Sequence, residues 1–185
     1  MDLKELEIID TSQNLYNCFN GFILSPDTKV FGKLLARTLL AQQVKDLPGD
    51  IVECGVFKGT GMLTFLKLKR FLCPNSGKKV VGFDFFDSEK LVESLSGIDK
   101  EAMNTLFSQR NYKHSDNHAE LFGNFVKQCG FEEHEFDLVP GDITETAAKY
   151  VAERPGFRIS MLYIDLDVDI PTYEALKAMW ARVVK

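Results

Sequence analysis

Four apolar runs in this sequence end on glycine or an acid. The first, DIVECGVFKGTG (Asp50 to Gly61), carries Glu53 inside the run and Gly55, Gly59 and Gly61 in the turn after it. The second, KVVGFDFF (Lys79 to Phe86), brings Asp84; the third, FDLVPGD, brings Gly141 and Asp142; the fourth, ISMLYIDLDVD, brings Asp165, Asp167 and Asp169. Glycines lack a Cβ, so the backbone can turn sharply and approach a ligand closely. Thr60 to Leu72 reads as a helix whose N-terminus points at that ligand, and Asp84 is placed to accept hydrogen bonds from a ribose diol. A strand opening into a glycine turn, then a strand ending on an acid, suits a nucleotide-type cofactor.

The spacing narrows the cofactor. A dinucleotide turn reads GxGxxG, whereas this one reads ExGxxxGxG from Glu53 to Gly61. No phosphate needs cradling in such a turn, and the spacing favours S-adenosylmethionine over NAD. An NAD-dependent oxidoreductase is the weaker alternative.

The elements that must position these residues alternate. Ile51 to Val56, Lys79 to Phe86, Phe136 to Val139 and Ile159 to Leu166 are the strand runs. Helical periodicity or capping signals cover Lys29 to Lys45, Thr60 to Leu72, Asn117 to Gly130, Ile143 to Glu153 and Pro171 to Val184. Thr144 is a candidate N-cap, SPDT (Ser25 to Thr28) a turn or cap, and Gly130 a helix-ending residue. Near-continuous apolar strands imply a sheet covered on both faces, and strand–helix alternation implies an α/β fold with a doubly wound, Rossmann-like, mostly parallel sheet. Ligands bind outside the carboxyl ends of such strands, where all the singled-out residues fall. Residues 1–28 form a lead-in or lid, residues 29–185 the main domain, and Ser88 to His118 a candidate lid over the site. His114 and His118 read as a surface loop.

Bland readings stand beside these. The glycines could simply turn the chain, Asp84 could end a strand, and Asp142 could cap the following helix. Asp165, Asp167 and Asp169 alternate along a strand, with Asp165 and Asp169 on one face and Asp167 on the other.

Composition excludes several function classes. At 185 residues and a net charge of −5 the chain can build one real core, and its scattered basic residues give no footprint for nucleic acid or an anionic membrane. It lacks a signal-type N-terminus and a run of about eighteen apolar residues, so the expected location is the cytoplasm. The four cysteines lack a CxxC pair and read as free, mostly buried thiols.

PGDIVECGVFKGTG, VVGFDFF, PGDITET and LYIDLDVDIPTYEAL, in this order, resemble the macrocin O-methyltransferase (TylF-like) family of class I S-adenosylmethionine-dependent methyltransferases. The resemblance spans roughly residues 30–180 and implies methyl transfer to a small-molecule hydroxyl, such as that of a sugar. It places Glu53, Gly55, Gly59 and Thr60 on the cofactor's amino-acid end, Asp84 on its ribose and Asp142 near its adenine. It makes Asp165 a ligand of a divalent metal, with Mg²⁺ the match for carboxylate oxygens, and Asp167 the general base. Asp169 departs from the tyrosine usual in the family. Relative to the family, the Gly-Gly turn, the fifth strand with its Asp-Asp pair and two further strands do not follow. A cofactor-binding but catalytically incomplete module is therefore the alternative function, and a free sheet edge is where a second copy would pair.

Overall fold

A computed structural model describes residues 12–109 and 118–184. Its helices are α1 (Ser12–Leu24), α2 (Thr28–Val44), α3 (Thr60–Leu72), α4 (Ser88–Ser94), α5 (Gly97–Gln109), α6 (His118–Gln128), α7 (Ile143–Glu153) and α8 (Asp169–Met179). The strands are β1 (Asp50–Cys54), β2 (Val80–Asp84), β3 (Phe136–Pro140) and β4 (Ile159–Ile164). They form a sheet in the order β3-β2-β1-β4, every pairing parallel. The expected doubly wound sheet is the one observed. Because the chain moves outward from β1 to β3 and then returns to the other side of β1, the winding reverses between β1 and β4. A crevice opens at that reversal.

Strand periodicity divides the core. Ile51 and Val80 face α3 and α6, packing with Phe65, Leu66 and Phe122, while Val52, Cys54, Val81 and Phe83 face α7 and α8, packing with Ala147, Ala175 and Met179. Both faces are covered, as the apolar runs imply. The same alternation puts Glu53 on the α3 side, where it is 1% exposed.

Local signals set the helix ends. Asp27 accepts a hydrogen bond from Lys29 N to start α2, and Gly130, at φ +85°, receives the end of α6 in the left-handed region. The N-cap of α7 is Asp142, whose Oδ1 accepts from Thr144 N at 2.9 Å, so Thr144 is capped rather than capping.

Four expectations are corrected. Asp165, Asp167 and Asp169 do not alternate along a strand: β4 stops at Ile164, Asp167 takes a left-handed φ of +59°, and Asp169 opens α8. The segment after Asp84, where little periodicity is visible, contains α4 and α5. Of the four cysteines, all free, Cys54 alone is buried. His114 lies outside the described residues, and His118 is not on a surface loop but buried on α6 beside the Phe86 ring. No described helix is long and apolar enough to cross a membrane.

Candidate functional site

A cavity of about 710 Å³ opens at the carboxyl ends of the strands, over the reversal between β1 and β4. Glu53, Gly55, Thr60, Asp84, Asp165 and Asp167 all line it. Gly59 and Asp142 do not, but their neighbours Lys58, Gly141 and Ile143 do.

The β1 turn is built for close approach. Gly55 has φ +94°, and a Cβ on it would stand 2.2 Å from the Asp165 carbonyl oxygen. Gly59, at φ +81°, caps α3 without a side chain, leaving the first turn of that helix facing the cavity. Among the described residues, three that are not glycine also hold a left-handed φ: Phe57, Phe86 and Asp167, one after each of β1, β2 and β4. Strain of this kind gathers where a surrounding structure fixes a site.

Asp84 ties the turn down. Its Oδ2 accepts from Val56 N and Phe57 N, both at 2.8 Å, and its Oδ1 accepts from Phe86 N at 2.9 Å. Burial pushes its carboxyl up, and the amides oppose that rise. Each carboxylate oxygen has further lone-pair capacity, which leaves room for a ribose hydroxyl. Asp142 spends Oδ1 on its cap, accepting from both Thr144 N and Thr144 Oγ1.

Glu53 sits at the base of the cavity under α3. Burial pushes its carboxyl up to about 8, Arg37 pulls it down, and Asp165 and Asp84 push it further up. The Arg37 guanidinium is 3.8 Å from Glu53 Oε1 and lies over the Tyr163 and Phe65 rings at 5.2 and 5.9 Å. Arg37 Nε and Glu53 Oε2 are buried without a hydrogen-bond partner. Arg37 escapes the motif search because it lies on α2, ahead of the glycine turn. Its signal is positional: Val30, Leu34, Arg37, Ala41 and Val44 fall on one stripe of α2, and Arg37 is the charge in that stripe.

Asp165 pairs with Lys33 Nζ at 3.8 Å. Among the described residues no three His, Cys, Asp or Glu side chains converge as metal ligands. The expected Mg²⁺ site therefore does not fit: one carboxylate already facing an ammonium is a poor set for a hard dication that wants about six oxygens. S-adenosylmethionine fits better, since the cavity joins the glycine turn, Asp84 and the unpaired Glu53 oxygen to apolar walls from Phe57, Leu91, Met103 and Phe107.

No family model matches the sequence, and no curated protein matches it either. Solved structures do. CalS11, described as a calicheamicin methyltransferase, is 23% identical with a TM-score of 0.67 over 100% of this chain and 79% of its own. The apo form of CalS11, described as a TDP-rhamnose 3′-O-methyltransferase, is 24% identical with a TM-score of 0.64, covering 100% and 80%. The O-methyltransferase NovP is 20% identical with a TM-score of 0.60 over 81% of this chain and 60% of its own. This chain has the methyltransferase fold. At such identities the likeness carries the fold, and within that fold the cavity lies at the sheet's reversal point.

Proposed function

We propose that the protein is an S-adenosylmethionine-dependent O-methyltransferase acting on a hydroxyl of a small molecule, such as a sugar. The observation that carries the reading is the meeting of Glu53, Gly55, Thr60, Asp84, Asp165 and Asp167, from three strand ends, around one cavity at the reversal between β1 and β4. The methyltransferase fold of CalS11 and NovP supports it.

In this reading Glu53, the Gly55–Gly59 backbone and Thr60 hold the amino-acid end of the cofactor, Asp84 the ribose, and the Gly141-Asp142-Ile143 turn the adenine. The bound cofactor supplies a methyl group made electrophilic by its sulfonium. Asp167, exposed at the cavity lip and held at its left-handed φ, would take the acceptor's proton as its oxygen bonds to the methyl carbon and the methyl–sulfur bond breaks, leaving a neutral thioether. Phe57, Met103 and Phe107 give the cavity beside it an apolar wall.

Incubation with methyl-labelled S-adenosylmethionine and a panel of sugar and other small hydroxyl acceptors tests the reading. Label in at least one acceptor, lost in Asp167→Asn, is the expected outcome. Cofactor binding without label transfer, with and without Mg²⁺, would favour the second reading, a module that binds but does not turn over; the Lys33–Asp165 pairing is the observation on its side.

A further inference from the structure

Arg37 and Glu53 are an unusual pair to bury. Arg37 is 8% exposed and Glu53 1%, yet their 3.8 Å approach is longer than a hydrogen bond, and each keeps an unpaired polar atom. A buried pair repays its desolvation only when geometry is close and the remaining donors and acceptors are satisfied. Neither condition holds here. An apolar side chain would pack on the same side of α2 as buried Ala41 and half-buried Val44 at no such cost, so packing does not account for an arginine.

Both groups border the cavity, a guanidinium beside a carboxyl, at the foot of the glycine turn. We propose that Arg37 and Glu53 together form a receptor for an α-amino-acid zwitterion, Arg37 binding the carboxylate and Glu53 the ammonium of the cofactor's methionine end. This rests on the methyltransferase reading and makes α2 part of the cofactor site. The other cations on the cavity wall are worse placed: Lys33 faces Asp165, and Lys58 lies over the Phe57 ring. A guanidinium is always charged and matches a carboxylate with two parallel donors. Tyr163 and Phe65 hold its plane, and Gly61 leaves the space beside it: a Cβ there would stand 2.9 Å from a terminal guanidinium nitrogen.

Calorimetry with three ligands separates this role from a structural one. The ligands are S-adenosylhomocysteine, its decarboxylated analogue and 5′-methylthioadenosine, which lacks the amino-acid head. The wild-type protein is expected to favour S-adenosylhomocysteine over the decarboxylated analogue by about tenfold or more, the scale of a charge-assisted hydrogen bond. Arg37→Gln removes that preference and leaves 5′-methylthioadenosine affinity within about twofold, while Arg37→Lys retains part of the preference. Equal wild-type affinity for the first two ligands overturns the assignment to Arg37 and leaves the cofactor reading standing. So does an Arg37→Gln variant that weakens all three ligands alike. If that variant does not fold, the wild-type comparison decides alone. A folded wild-type chain that binds none of the three overturns both readings.

Discussion

The Cα of Gly61 stands against the carboxylate of Glu53: a Cβ at residue 61 would lie 1.9 Å from Oε1 and 2.8 Å from Cδ. Helix α3 thus starts over a buried acid on the neighbouring strand, and the second residue of that helix must be small for the acid to keep its place. Alanine is a better helix former than glycine by about 1 kcal/mol, so propensity alone would have Gly61→Ala stabilise the protein. The contact argues the opposite. Gly61→Ala is expected to lower the melting temperature and weaken S-adenosylhomocysteine binding, and a variant that melts higher with unchanged binding would refute the contact.

Glu53 makes both binding and stability depend on pH. Its carboxyl, ordinarily ionised by neutral pH, is pushed up to about 8 by burial. Ionising it in the fold is therefore unfavourable, and the stability it contributes is full at low pH and lost as pH rises from its unfolded value through 8. A ligand ammonium favours the ionised form, so binding at pH 7 should release a proton, and affinity should rise by up to about tenfold per pH unit between 6 and 8. Calorimetry in buffers of different ionisation enthalpy measures the proton, and Glu53→Gln should abolish both trends.

Asp84→Asn leaves at least one of the amides of Val56, Phe57 and Phe86 facing an N–H instead of an oxygen. A stranded buried donor costs about 1–3 kcal/mol. Urea denaturation should show a lower midpoint with an unchanged slope. An unchanged midpoint would mean the turn does not depend on this acid.

Asp142 carries a cap and, as proposed, a contact to adenine, and two substitutions part them. Asp142→Ala should lose about 1 kcal/mol of stability with the cap. Asp142→Ser keeps a capping oxygen but not the second carboxylate oxygen, so it should stay stable and bind S-adenosylhomocysteine several-fold more weakly. Full affinity in the serine variant would confine Asp142 to capping.

Much of this was legible in the sequence, and the reasons are local. β1, β2 and β4 declare themselves because buried parallel strands leave little room for polar residues, and the glycines and acids after them mark where the sheet stops. The end of β4 misleads because Asp165, Asp167 and Asp169 mimic a strand's two-residue period, while the backbone has already turned at Asp167 and seats Val168 in a buried cluster with Met103 and Phe107. Helix α5 hides because it buries only Met103 and Phe107, one turn apart, too short a stripe to stand out. On α2 the apolar period marks a helix but not its buried face: Val30, Phe31, Leu34, Leu35, Leu39 and Leu40 remain exposed, and the stripe facing the core centres on Arg37 and Ala41. Arg37 becomes meaningful only when β1 brings Glu53 beside it, a pairing across sixteen residues that no local pattern encodes.

The central claim is that this cavity binds S-adenosylmethionine through Glu53. Titrating the wild-type protein and Glu53→Ala with S-adenosylhomocysteine by calorimetry tests it most directly. One saturable site, weakened about tenfold or more in the folded variant, is the expected result. A folded wild-type protein that takes up no ligand, or a variant that binds as tightly as the wild type, would contradict it.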